Sequence, residues 1–318
     1  DSIACVVLQG AGDKALCAGG DIVQLYNSCK DGSDYALTFF TEEYKLDYAI
    51  HTYPKPFVVW GNGVVMGGGL GLMSGASHRV VTENTRMAMP EITIGLYPDV
   101  GGTFFLNHAP GRTGLFLGLT GASINATDAI DVGLADRFIA HEQRQAVISA
   151  LTGVEWDGVA ERHSGQVSHV LREFEQSSES QKPEGQVRSH YDHIQQVTDQ
   201  DSLEQIVAAI TSYQGDDKWL TSAAKGLKHG CPTTMHLVWE QLRRGHHLSL
   251  KEVFQMELIM SANCARMGNF QEGVRALLIE KDRNPKFIPA TLDEITPEYI
   301  QQHFEPSWGD QPHPLADL

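Results

Sequence analysis

The chain predicts an α/β fold, and three observations carry that expectation. Short apolar runs close on glycine-rich loops over residues 1–140, helical patterns lie between them, and strand signals thin out afterwards while helical ones persist. Residues 3–8 (Ile-Ala-Cys-Val-Val-Leu) form the first run, closed by Gln9-Gly10-Ala11-Gly12 as a buried strand entering a loop. Since the opening residues already read as strand, the chain is expected to lack its true start. A helix is expected from about Tyr35 to Ile50, and Pro54-Lys55-Pro56 separates it from a second buried strand, Phe57-Val58-Val59-Trp60. Met66-Gly67-Gly68-Gly69-Leu70-Gly71 then opens a helix to about Gly75, and Arg79-Val80-Val81-Thr82 is a third strand. Residues 1–140 are therefore expected to form the α/β core. Residues 141–220 read as a polar helical linker region, solvated over 155–205, and 221–318 as a helical C-terminal region. Leu237, Trp239, Leu242, Val253, Phe254, Met256 and Leu258 are candidate core there.

Composition narrows the function. The charge is 24 − 40 = −16, which opposes a general role in binding nucleic acid or an anionic membrane, because both need a positive field. No apolar run approaches the roughly 20 residues of a membrane span. The five cysteines are odd in number and none lies in a C-x-x-C, so neither a disulfide framework nor a familiar zinc site is expected. Free thiols fit a bacterial cytoplasm or a mitochondrial matrix equally.

Several motifs carry chemistry. Gly10-Ala11-Gly12-Asp13-Lys14-Ala15 spells a dinucleotide fingerprint, but Cys17-Ala18-Gly19-Gly20 interrupts where its helix should run. The glycines at 67–69 precede a helix, where N–H groups are free to donate; with a second donor from Ala18-Gly19-Gly20-Asp21 they could hold an oxyanion. Two tight turns would give the same spelling. On a helix turning about 100° per residue, Ala36, Phe39, Phe40, Leu46 and Ile50 share a stripe with Glu43 at its middle, Glu42 at its edge and Asp47 nearby. An inward carboxylate there needs a partner or a polar surround, unless the helix frays into water. Glu91, after Pro90, and Asp99, in Leu96-Tyr97-Pro98-Asp99-Val100-Gly101-Gly102, are two more carboxyls in partly apolar settings whose pKa values can be driven apart. Asp99 could equally cap a helix starting near Gly101. Ser74 is not in a nucleophile elbow, and His190-x-x-His193 reads as a solvated helix surface before a metal site.

These residues together resemble the crotonase (enoyl-CoA hydratase/isomerase) superfamily, and within it the branch that hydrolyses 3-hydroxyisobutyryl-CoA. The match runs from Val6 to Phe138 and resumes over Phe270–Asp282, where Phe-Gln-Glu-Gly-Val-Arg-Ala stands; the Pro-Asp-Val-Gly-Gly string is its other specific part. The resemblance implies a crotonase-type β-β-α spiral core followed by a helical C-terminal region. It implies oxyanion donors at the N–H groups of Gly20 and Gly68, with substrate-contacting carboxyls at Glu43, Glu91 and Asp99. Hydratases of the superfamily carry a second glutamate where this chain has Gly71, which favours hydrolysis of a short 3-hydroxyacyl-CoA, in valine breakdown, over hydration. A hydratase or isomerase and a silent acyl-CoA-binding protein are the alternatives. No metal or redox cofactor is implied, CoA being part of the substrate, and a homo-oligomer is compatible with the resemblance. Arg275, Lys281, Arg283 and Lys286 form a basic cluster that reads equally as a phosphate site or an ion-pair network.

Overall fold

The computed structural model describes residues 3–156 and 159–318. Asp1 and Ser2, which precede the first expected strand, and Asp157 and Gly158, in the polar stretch, lie outside them. The chain divides into two compact units, each built from separate stretches: residues up to Ala18, Ala49–Ala88 and Ser123–His190 in the first, and Gly19–Tyr48, Met89–Ala122 and Tyr191–Leu318 in the second. The three sequence segments are cut across by this division, because the chain leaves each unit and returns to it.

Among its described residues the first unit carries seven strands: β1 (Val6–Gln9), β2 (Ala15–Cys17), β3 (Phe57–Gly61), β4 (Val64–Met66), β5 (His78–Val81), β6 (Arg86–Ala88) and β7 (Arg137–Phe138). They form two parallel sheets, β1-β3-β5-β7 and β2-β4-β6. Consecutive strands never pair. Val6 aligns with Phe57, Val58 with His78 and Val80 with Arg137 in one sheet, while Val64 aligns with Arg86 in the other. Each of three passes of chain thus lays one strand in each sheet and then enters helical structure, and β7 adds a last strand to the larger sheet, which is the β-β-α spiral.

The helices are α1 (Ile22–Asp31), α2 (Tyr35–His51), α3 (Gly68–Ser74), α4 (Gly102–Asn107), α5 (Thr113–Thr120), α6 (Ala126–Asp131), α7 (Arg144–Thr152), α8 (Ala160–Ser178), α9 (Tyr191–Thr198), α10 (Leu203–Thr211), α11 (Lys218–His229), α12 (Pro232–Gly245), α13 (Leu250–Arg266), α14 (Asn269–Val274) and α15 (Pro297–Gln302). The glycine run at 67–69 has a packing reason: a Cβ on Gly69 would stand 2.4 Å from the Cys17 carbonyl oxygen, so α3 lies against β2 only with no side chain there. The core of the first unit joins Val58, Trp60 and Val80 to Val147 and Leu151 of α7 and Val167, Val170 and Leu171 of α8. That corrects the expectation of purely solvated helices over 155–205. Three apolar residues at i, i+3 and i+4 suffice to seat one face of α8, however polar the rest.

In the second unit α12 and α13 are the inner helices. Leu237, Val253, Phe254 and Leu258 are fully buried as expected, while Trp239 and Met256 are only partly so.

Candidate active site

Helix α2 presents its carboxyls inward, but the stripe is turned from the expected one. Ala36, Phe40, Tyr44 and Asp47 are buried, Phe39 is partly buried, and Leu46 is 52% exposed. Asp47, not Leu46, lies beside Glu43 on the helical wheel, so the face centre holds two acids one turn apart. Glu43 is partly exposed; Asp47 is 1% exposed, and neither of its carboxyl oxygens has a hydrogen-bond partner.

The second feature is the run from Pro90 to Thr103. Glu91 opens a 3-10 turn, Glu91–Ile94, closed by Gly95 in the left-handed region. A Cβ on Gly95 would strike the Asn269 carbonyl at 2.5 Å, and one on Gly273 would strike Ile94 backbone at 2.4 Å. The Glu-Gly-Val-Arg-Ala string therefore lets α14 press backbone-to-backbone on the turn that bears Glu91. Beyond it, Thr234 Oγ1 donates to the Leu96 carbonyl (2.7 Å) and Gln241 Nε2 to the Pro98 carbonyl (3.0 Å), both from α12. The Glu257 carboxylate of α13 accepts the N–H groups of Gly101 (2.7 Å) and Thr103 (2.8 Å). Val100 is held at φ 52°, a left-handed conformation that costs a β-branched residue about 1–3 kcal/mol and persists only where neighbours over-determine it. Here the Glu257 contacts, and the Gly102 N–H on the Asp99 carbonyl (2.7 Å), do so.

Asp99 does not cap α4. Gly101 is the N-cap and no side chain caps it; Glu257 supplies the carboxylate to the first turn instead. The Asp99 side chain lies 2.7 Å from the Tyr44 hydroxyl, itself 2.6 Å from Ser261 Oγ. Ser261 Oγ is also 2.8 Å from the Tyr97 hydroxyl, and Tyr97 donates to the Glu257 backbone carbonyl (2.7 Å).

Five acids thus gather in the second unit, and the charges that bear on them are one another's. Burial, then the charge of Asp99, pushes Glu43 up to about 8. Burial raises Asp99 to about 6 against the pull of Tyr44. Glu257 is raised to about 8 by burial, which outweighs its two backbone donors. Glu91 is 6% exposed, its Oε2 has no hydrogen-bond partner, and burial with the charges of Asp99 and Glu43 holds its proton well above the usual carboxylate range. Asp47 is raised in the same way. Such a group can offer an acid and a base side by side, since ionising one member raises the cost of ionising the next.

The structure brings Glu43, Glu91 and Asp99 into one electrostatic group. Gly20 stands in the second unit, before Asp21, whose side chain caps α1 by accepting the Gln24 N–H (3.0 Å). Gly68 stands in the first unit as the opening residue of α3, after Gly67 at φ 53°. The segment spelling a dinucleotide fingerprint runs into strand β2, not a helix. Among the described residues no group of three or more His, Cys, Asp or Glu is placed to hold a metal, and no helix is long and apolar enough to cross a membrane. Arg275 is engaged by Glu272 (2.8 Å), Glu280 and Asp282 (2.8 Å), an ion-pair network. Sequence reasoning missed Tyr44, Tyr97, Glu257 and Ser261. The signal was present for two of them: Glu257 and Ser261 sit on the Val253-Phe254-Leu258 stripe as Glu43 sits on its own.

A model of the enoyl-CoA hydratase/isomerase family matches residues 1–304. The mitochondrial 3-hydroxyisobutyryl-CoA hydrolase of Gallus gallus is 36% identical over 304 residues, covering 95% of this chain and 77% of its own. Its Homo sapiens counterpart is 35% identical over 94% of this chain and 76% of its own. A carnitinyl-CoA dehydratase from Mycobacterium thermoresistibile has a similar structure, with a TM-score of 0.85 and 35% identity over 97% of this chain and 85% of that one. An enoyl-CoA hydratase from Rhodobacter sphaeroides gives 0.82 and 32% over 96% and 85%.

Proposed function

Because the chain belongs to the enoyl-CoA hydratase/isomerase family, we propose that it hydrolyses the thioester of 3-hydroxyisobutyryl-CoA, a reaction that fits valine breakdown. The observation that carries this reading is the placing of Glu43, Glu91 and Asp99 in one uncompensated acid group, in a chain with Gly71 where hydratases of the superfamily have their second glutamate. Hydration needs two carboxyls managing water and proton across a double bond. Thioester hydrolysis needs an oxyanion site and one carboxylate that attacks the carbonyl or activates water.

The resemblance assigns the donors to the thioester oxygen to the N–H groups of Gly20 and Gly68. Glu91, once ionised, attacks the carbonyl carbon and displaces CoA thiolate, leaving an anhydride that water cleaves; alternatively it takes a proton from the attacking water. Asp99 orients that water or the substrate hydroxyl, and Glu43 makes the second polar contact to the 3-hydroxyacyl portion. A site built to bond a hydroxyl discriminates strongly against acyl groups that lack one. The chemistry requires no cofactor beyond the CoA of the substrate. The relatives are named mitochondrial, which supports the matrix for a eukaryotic source, and in a bacterium the reaction would run in the cytoplasm.

Incubation with 3-hydroxyisobutyryl-CoA should release free thiol, read with a thiol-reactive dye, while crotonyl-CoA should not. Rapid hydration of crotonyl-CoA without thiol would replace this reading with a hydratase. Single turnover in ¹⁸O water separates the two routes: label enters Glu91 only if it is the nucleophile.

A further inference from the structure

We propose that Asp99 is protonated in the resting protein, and that Tyr44, Ser261 and Tyr97 are positioning residues that keep it so through a one-way chain of hydrogen bonds ending on the Glu257 carbonyl. Four short contacts make the chain: Asp99 to Tyr44 (2.7 Å), Tyr44 to Ser261 (2.6 Å), Ser261 to Tyr97 (2.8 Å) and Tyr97 to the Glu257 backbone oxygen (2.7 Å). Each needs one proton. The three hydroxyls bring three, one apiece, and a backbone carbonyl brings none. Tyr97 is therefore committed to the carbonyl.

With Asp99 ionised, Tyr44 is committed to the carboxylate. Ser261 then has one proton for two oxygens, and one buried pair faces lone pair to lone pair at 2.6 or 2.8 Å. With a proton on Asp99 the direction reverses at the near end, which removes the donation from the Tyr44 hydroxyl that pulls Asp99 down to about 6. Asp99 donates to Tyr44, Tyr44 to Ser261, Ser261 to Tyr97 and Tyr97 to the carbonyl, so every contact is filled. A complete buried chain is favoured over a broken one because each bond polarises the next and a buried polar atom left unpaired is costly. Tyr44, Tyr97 and Ser261 are all fully buried.

The groups around Asp99 offer it no counterion. Glu43 and Asp47 face it from α2, Glu91 from the 3-10 turn, Glu257 and Cys264 from α13, with the phenols of Tyr44 and Tyr97. None is a cation. The consequence reaches Glu91: a neutral Asp99 no longer repels a charge there, so the carboxyl that must ionise is relieved by the one that does not.

The catalytic meaning rests on the hydrolase reading, whereas the protonation state needs no substrate to be measured. Infrared difference spectra between wild type and Asp99→Asn should show, at neutral pH, a protonated-carboxyl carbonyl band lost in the variant. In Tyr97→Phe and in Ser261→Ala the remaining protons suffice for an ionised Asp99, so the midpoint of that band should fall by at least about one pH unit, a tenfold gain in acidity. Where turnover is present, the matching limb of the kcat/KM profile should move in the same direction. A merely structural role would change stability or kcat and leave the midpoint where it was. Absence of the band in wild type, or a midpoint unmoved or raised in both variants, overturns the proposal. Should one variant not fold, the other decides. A protein that shows the band but releases no thiol refutes the hydrolase reading alone.

Discussion

Two clusters of acids in the second unit are solved in opposite ways. Around Arg275, Glu272 and Asp282 share a guanidinium near the surface, and each carboxyl is held below its ordinary range by hydrogen bonds from that arginine. Around Tyr44, the acids Glu43, Asp47, Glu91, Asp99 and Glu257 are packed with apolar side chains, and all are raised, burial first. The first arrangement fixes a loop and leaves little chemistry available. The second offers burial without counterions, so that protons become the means of balancing charge, the condition for acid–base work near neutral pH.

The largest expected break in this contrast is Glu91→Gln, which keeps the shape and removes the ionisable group. Turnover should fall about 10³-fold while CoA binding by calorimetry stays within a factor of a few, as for loss of a general base or nucleophile. Equal loss of both would mean the acid cluster is structural. Glu257→Gln comes next. Its amide can accept only one of the two N–H groups of Gly101 and Thr103, so urea unfolding should show a loss of about 2 kcal/mol, with kcat falling as the 96–103 loop relaxes.

The pH dependence of stability sharpens the contrast further. The raised acids bind protons more tightly folded than unfolded, so their contribution is whole below the ordinary value of 4.5 and is lost as pH rises toward about 8 for Glu43 and Glu257. Glu272 and Asp282 have the opposite sign, contributing above their ordinary values and losing it as pH falls. Urea midpoints should therefore decline between pH 5 and 8, in the range set by those values. Asp47→Asn should flatten that slope and stabilise the protein by ~1 kcal/mol at the alkaline end, since burial makes Asp47 keep a proton that the unfolded chain gives up. Arg275→Ala is the smallest effect: a slight fall in Tm that added salt erases, because the network it breaks is screened.

Much of this was legible in the residues. The strand near 6–9, the strand at 57–61 and the helices at 35–51 and 68–74 follow from local period and glycine placement, which act within a few residues. Glu43, Glu91 and Asp99 were legible as inward acids because a carboxyl in an apolar run conflicts with its surroundings. Asp47 was nearly found; Leu46 competed with it for the same face, and only packing decides which of two neighbours on a wheel is buried. Asp99 as a cap failed because the carboxylate that takes the helix start lies 158 residues further along the chain, at Glu257, and no local pattern reports so distant a partner. The Tyr44–Ser261–Tyr97 chain is silent for the same reason.

Glu257 reaches residues 97–103 twice over, by its side chain to Gly101 and Thr103 and by its main chain to Tyr97. A one-residue insertion between Leu250 and Glu257 would swing that side chain by about a quarter turn and slide its carbonyl by ~1.5 Å, so both anchors would be lost together. An insertion at His246 or His247, before the helix begins, would leave them in register. Length variation should thus be forbidden within this stretch of α13 and tolerated just ahead of it, a contrast that a pair of insertion variants compared by expression and melting would expose.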